Sequence, residues 1–264
     1  MKELGLLQNT NKSAGLPIAS PAVGGIARTG AVPLLISVRS IAEAKIACQF
    51  PLAIIDFKNP KAGALGRCSD AVLQRVASLK PTGLGFSAAC GELRELQSHR
   101  LALPAGIRFA KAGPAGLCSA SQIRDAMLRF RVALPAATTS VAVAYADHAE
   151  ADCGPVETIA ELAIQTEHRW LLIDTATKDG RRLLDWLTPQ QLTDVIAMCR
   201  QHGIGTVLAG SLALQDVDSL RSLGADLLGI RGAVCSGGRD SQIDPDKIAA
   251  WCQAMASTEA PIDR

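Results

Sequence analysis

Ala53-Ile54-Ile55-Asp56-Phe57-Lys58-Asn59-Pro60 is a short apolar run that turns charged at its far end and is stopped by proline. It is too short for an independent helix, and Pro60 cannot continue a strand ladder. It therefore reads as one buried strand whose polar groups gather at its C-terminal end. Successive strand side chains alternate faces, so Asp56 and Lys58 project the same way. In a parallel barrel the C-terminal strand ends form the catalytic mouth.

Outward from this stretch the pattern repeats. Short apolar runs bounded by Gly, Pro or Asp alternate with longer amphipathic stretches from Ala31 onward. Such alternation marks βα units and a parallel sheet. Strands are expected near Leu34-Ser37, Ala53-Phe57, Gly83-Ala88, Ile107-Ala110, Val141-Tyr145, Trp170-Asp174, Thr206-Ala209 and Leu227-Ile230. Helices are expected at Ser40-Ala47, with Ser40 and Glu43 as a capping box, and at Asp70-Leu79, Ser121-Phe130 and Val156-Thr166. Others fall at Gln190-His202, Leu214-Leu223 and Asp244-Met255, and a weakly marked one lies near Glu92-Arg100. Eight strands favour an α/β fold of the closed (β/α)8 TIM barrel type over a doubly wound sheet. A doubly wound sheet would leave strands over and would need a Gly-x-Gly-x-x-Gly turn after its first strand. The expected organisation is one domain: an irregular, Gly/Pro/Ser-rich arm at residues 1–30, the barrel at 31–256 and a tail at 257–264.

Composition agrees with this frame. Hydrophobic residues make up 48% and aromatics 3%, so small and branched residues must fill the core. Lys+Arg 27 against Asp+Glu 25 leaves a formal net charge of +2 and no basic run interleaved with aromatics, which argues against a nucleic-acid partner. Eight scattered cysteines in a chain of 264 residues read as reduced thiols of a cytoplasmic protein. Without Cys-x-x-Cys or His-x-x-x-His spacing, neither a metal nor another cofactor is expected. The uncharged run from Val132 to Ala146 contains Pro135 and is too short and polar to span a bilayer, and the N-terminus does not resemble a signal peptide.

The remaining charges sit at other strand ends. Asp174 and Lys178 share parity if the sixth strand stays extended, and Lys111 ends the fourth. Even-numbered strands supply common layers of a barrel, so Lys58, Lys111 and Lys178 are expected to converge. Mutual repulsion and burial would lower a lysine's pKa and free an amine to attack a carbonyl, with Asp56 and Asp174 moving protons. The plainer reading is a set of solvated loop residues and helix caps. Asp147, after the fifth strand, serves equally well as a cap, a salt-bridge partner or a catalytic group. Gly210, Ser211 and Gly232 follow the last two strands, the usual phosphate site of this fold. Arg231 either grips that phosphate or forms an internal ion pair, and Gly237-Gly238-Arg239 is a flap or a plain turn.

Taken with these residues, the chain resembles the (5-formylfuran-3-yl)methyl phosphate synthases of methanofuran biosynthesis. The resemblance is carried by Leu34-Leu35-Ile36-Ser37-Val38, Asp56-Phe57-Lys58-Asn59-Pro60-Lys61, Ser87-Ala88 through Gly91, Lys111 with Gly113, and Tyr145-Ala146-Asp147. It continues through Asp174-Thr175-Ala176, Lys178-Asp179-Gly180, Ala209-Gly210-Ser211 and Arg231-Gly232-Ala233. It implies a lyase that condenses two glyceraldehyde 3-phosphate molecules into a furan aldehyde phosphate, with loss of phosphate and water. By the same resemblance, Lys58 matches the imine-forming lysine, Asp56 and Asp174 its acid/base neighbours, and Lys111 and Lys178 further catalytic groups. Ser37, Asn59 and Asp147 join Gly210, Ser211, Arg231 and Gly232 as substrate-binding expectations. The sequence departs from the family where Leu93-Arg94-Glu95 replaces a longer loop after Glu92, at Ser236, where lysine is common, and over residues 1–30. Two choices stay open at this level: Lys58 or Lys178 as the imine lysine, and monomer or homo-oligomer. Alternatives to the synthase are a barrel acting non-covalently on a phosphorylated sugar and a non-catalytic phosphometabolite-binding relative.

Overall fold

The computed structural model describes residues 32–79, 84–96 and 101–256. The expected arm and tail lie outside these, as do Gly83 and the 97–100 end of the weakly marked helix. Eight strands, β1 (Leu34–Val38), β2 (Ile54–Phe57), β3 (Gly85–Glu92), β4 (Ile107–Gly113), β5 (Thr139–Tyr145), β6 (Trp170–Asp174), β7 (Gly205–Leu208) and β8 (Leu227–Ile230), close in chain order into a barrel. Every neighbouring pair is parallel, β8 with β1 included.

Strand alternation divides the core in two. Leu35, Ile54, Phe109, Val141, Leu172 and Val207 pack together inside the barrel. Their strand neighbours Ile36, Ile55, Ala110, Ala142, Ile173 and Leu208 pack outward beneath the helices. Asp56 and Lys58 share the parity of Ile54, Lys111 that of Phe109, and Asp174 that of Leu172. These four charged side chains are therefore on the inward set, whereas Arg108 of β4 is exposed.

The helical layer comprises α1 (Ile41–Ala47), α2 (Asp70–Gln74), α3 (Ala120–Ala133), α4 (Val156–Gln165), α5 (Leu183–Trp186), α6 (Pro189–Gln201), α7 (Val217–Ser222) and α8 (Pro245–Ala256). Helix α6 is specified locally. Thr188 caps the Gln191 N–H, the Gln191 side chain returns to Thr188, and Pro189 opens the first turn. Helix α4 buries Val156, Ile159, Ala160 and Ala163 at helical spacing against the sheet.

Several expected boundaries shift. Helix α2 stops at Gln74 and continues as a 3-10 turn over Arg75–Ser78, and α7 is likewise preceded by a 3-10 turn at Leu214–Asp216. Among the described residues of the helix expected near Glu92-Arg100 there is a 3-10 turn at Leu93–Glu95, because β3 runs on past Ala88 and takes up Glu92 itself. Gly91, with φ 88°, lies at a register shift against β4 and allows that continuation. Strand β4 also extends to Gly113, so Lys111 is a strand residue held by the sheet. The box at Ser40 is half formed. Ser40 accepts from the Glu43 N–H, but the Glu43 carboxylate turns to the Arg39 N–H at 2.9 Å.

Among the described residues no helix is long and apolar enough to cross a membrane. All eight cysteines are free thiols.

Candidate active site

Closure sets Ser37, Asp56 and Ser87 at one level of β1, β2 and β3. Both serines donate to Asp56, Ser37 to Oδ2 at 2.9 Å and Ser87 to Oδ1 at 2.5 Å. The Lys111 ammonium adds a third contact at 2.6 Å. Burial alone would push the Asp56 carboxyl up. The charges of Lys111 and Lys58 and the hydrogen bonds outweigh it, holding the group below the usual carboxylate range.

A second carboxylate is held the same way on β6. Asp174 Oδ1 accepts from Lys178 Nζ at 3.0 Å and from the Thr175 N–H at 2.8 Å. Its Oδ2 lies 3.9 Å from Lys58 Nζ. Burial again opposes ionisation, but Lys178 and Lys58 bring Asp174 down to about 2.

The three lysines differ in how fully their protons are held. Lys178 donates to Asp174 Oδ1, to the Thr175 carbonyl at 2.6 Å and to Thr175 Oγ1 at 2.8 Å, which engages all three N–H groups of an ammonium. Lys111 is hydrogen-bonded to Asp56. Lys58 is held at its backbone, where its N–H donates to the Val38 carbonyl at 2.9 Å, while its amine has only the 3.9 Å contact with Asp174 among the described residues. Burial, opposed in part by Asp174 and reinforced by Lys178, lowers Lys58 to about 8.

These groups line a cavity of about 300 Å³ at the C-terminal mouth. It takes in every residue given a catalytic or binding role from the sequence except Asn59 and Asp147. Asn59 turns its Oδ1 to the Lys61 N–H at 3.2 Å and caps the 3-10 turn at Pro60–Ala62. Asp147 is buried and accepts the N–H groups of Ala176 and Thr177, each at 2.7 Å, which fastens the loop that carries Lys178.

Arg231 lines the cavity, yet all five of its N–H groups are engaged. They reach both Glu43 oxygens at 2.5 and 3.3 Å and the carbonyls of Ser37, Arg239 and Ser241 at 3.1, 3.0 and 2.7 Å. Of the two options its position left open, the internal ion pair is the one present. In the loop after β7, Gly210 has φ 103°, and a Cβ there would press on Thr175 at 3.0 Å. Ser211 follows in the left-handed region at φ 53°, an uncommon state for a residue with a side chain.

Three participants escaped the sequence reading. Ser87 stood in a quoted motif without a role, although its register opposite Asp56 follows from strand parity. Glu43 was read as a helix cap. Arg239, in the Gly-Gly-Arg segment, lines the cavity and donates to the Gly63 carbonyl at 3.2 Å. Behind the site, Tyr145 donates to Glu92 at 2.8 Å, and the other Glu92 oxygen accepts the Ala115 N–H at 3.1 Å. Among the described residues no group of three or more His, Cys, Asp or Glu is placed to hold a metal ion.

A family model described as 4-HFC-P synthase matches residues 34–252, which spans all eight strands. The chain belongs to this family. Relatives in the 4-HFC-P synthase family include the (5-formylfuran-3-yl)methyl phosphate synthase of Methanopyrus kandleri, 32% identical over 214 residues, 78% of this chain and 90% of that one. The synthase of the same name from Methanococcus aeolicus is 33% identical over 214 residues, 78% and 91% of the two chains. Among solved structures, 3-hexulose-6-phosphate synthase from Salmonella typhimurium superposes with TM-score 0.57 at 14% identity, covering 84% of this chain and 98% of the other. Phosphoribosyl anthranilate isomerase from Thermus thermophilus does so with TM-score 0.55 at 13% identity, covering 86% and 100%. At such identities these two establish the barrel alone.

Proposed function

We propose that this chain condenses two molecules of glyceraldehyde 3-phosphate into (5-formylfuran-3-yl)methyl phosphate through an imine on Lys58. The observation that carries the reading is the contrast among the three lysines. An imine lysine must present an unprotonated amine with room for a carbonyl. Lys58 meets both needs, with a pKa lowered to about 8 and an amine facing the cavity. Lys178, with three acceptors, is bound as an ammonium and suits charge stabilisation.

In this reading the Lys58 amine adds to the aldehyde and water leaves. The protonated imine acidifies the adjacent C–H, whose proton passes to a carboxylate. Asp174, 3.9 Å from the amine, is the nearer base, while Asp56 orients Lys111. The resulting enamine attacks the second aldehyde. Loss of phosphate and of two molecules of water then closes and aromatises the ring, and hydrolysis returns the amine. Lys111 and Lys178 stabilise the developing negative charges, the phosphates included. Asn59 and Asp147 hold the loops that bear Lys58 and Lys178.

Borohydride added with glyceraldehyde 3-phosphate should leave one reduced adduct, mapped to Lys58 by peptide mass. Lys58→Ala should lose the adduct and the furan chromophore. Lys58→Arg should lose both as well, because guanidinium cannot act as the amine. Retained activity in Lys58→Arg would instead support non-covalent use of the charge, and a Lys178 adduct would transfer the nucleophile's role.

A further inference from the structure

We infer that Arg239, and not Arg231, supplies the guanidinium that grips the phosphate ester seated on the loops after β7 and β8. The inference rests on the proposed reading in one respect only, that the ligand is a phosphate ester.

Of the two arginines at this end of the cavity, Arg231 has no N–H left to offer. Its five donors go to Glu43, Ser37, Arg239 and Ser241. One of those bonds holds the Arg239 carbonyl itself, so the buried arginine fixes the backbone that presents the other. Arg239 is half-buried, and among the described residues its side chain makes one hydrogen bond, to Gly63. The rest of its planar fork remains for a dianion.

Its position fits the glycine loops. A Cβ on Gly232 would lie 3.7 Å from the Arg239 Cβ, so the arginine stem rises directly beside the first residue of the 3-10 turn at Gly232–Val234. The Gly210–Ser211 turn lines the same cavity. In the inferred site these two turns and the Arg239 guanidinium border one anion from three sides. The bond to Gly63 adds a second consequence. Gly63 closes the 3-10 turn that follows Lys58 and Asn59, so Arg239 joins the phosphate end of the cavity to the loop of the candidate nucleophile. Ester occupancy and the placement of Lys58 are thereby coupled.

The test compares the full-length chain with Arg239→Gln and Arg239→Lys, after confirming unchanged thermal midpoints. Calorimetric titration with inorganic phosphate should show affinity lower by about 10- to 100-fold in Arg239→Gln, the range expected for losing a charged hydrogen-bond fork. Arg239→Lys should fall between. In borohydride trapping, the glyceraldehyde 3-phosphate concentration for half-maximal adduct should rise by a similar factor, and that for unphosphorylated glyceraldehyde, which feels only the lost bond to Gly63, should rise by much less. Equal phosphate affinity in Arg239→Gln and the unaltered chain would overturn the inference, as would absence of phosphate binding by the unaltered chain. If no adduct forms with either aldehyde the imine reading fails, and the phosphate titration still decides the role of Arg239.

Discussion

At the scale of single residues, chemistry here is governed by which protons are already held. Lys58 and Lys178 both contact Asp174, but three acceptors hold Lys178 while burial lowers Lys58 to about 8. The sign of the pH dependence follows. In the proposed imine mechanism adduct formation requires the neutral amine, so its rate should rise with pH and level off above about 8, which stopped-time borohydride trapping can follow. Lys178 is the largest cationic influence lowering Lys58. Lys178→Met should therefore raise the Lys58 pKa and move the rising limb to higher pH, and a limb that stays in place or moves down would contradict the electrostatic account. Much of this site was legible in the sequence, because Asp56 with Lys58 and Asp174 with Lys178 are related by strand parity, a purely local rule. Ser87 and Arg239 were not, since their partners lie on other elements.

At the scale of elements, His168 ties the start of β6 to its neighbours. One ring nitrogen meets Ser140 of β5 at 3.1 Å and the other Thr166, at the end of α4, at 2.8 Å. Burial, with Arg131 nearby, lowers it from 6.5 to about 4. Between those values the unfolded chain binds a proton that the folded chain refuses, so stability should fall as pH drops from about 6.5 toward 4. The loss should be on the order of 3 kcal/mol, from 1.36 kcal/mol per pH unit. Urea unfolding across that interval should show a flatter dependence in His168→Gln than in the unaltered chain. The β3–β5 corner makes a similar demand on backbone. A Cβ at Gly113 would land on the Tyr145 hydroxyl and the Glu92 carboxylate, so Gly113→Ala should destabilise the chain by about 1–3 kcal/mol, the usual overpacking range, measured by thermal or urea unfolding. Neither arrangement has a signature in local periodicity, because each depends on how far a strand runs past its apolar core.

At the scale of the whole molecule, the barrel closes between β8 and β1, and the Glu43–Arg231 pair lies at that seam. Both residues are buried, and Arg39 shares the same carboxylate at 3.1 Å. Removing Arg231 leaves the buried Glu43 carboxylate with the partly exposed Arg39 as its cation and leaves three carbonyls without their donor. Arg231→Met should therefore lower stability by about 3–5 kcal/mol in urea unfolding, while the double variant Glu43→Leu with Arg231→Met should recover a large part of it. A single variant as stable as the unaltered chain would show that the pair does not secure the seam.

Periodicity and punctuation alone determined the strand count, the closed α/β barrel, the inward direction of Asp56, Lys58, Lys111 and Asp174, and the glycine turns after β7 and β8. These follow from interactions between near neighbours in the chain, which local order already encodes. Only the tertiary structure decided that Arg231 is consumed by Glu43, that Lys178 is held by three acceptors while Lys58 is not, and that Arg239 stands beside Gly232 and reaches Gly63. Each of those outcomes depends on distances between strand ends far apart in sequence, and such distances exist only once the eighth strand has paired with the first.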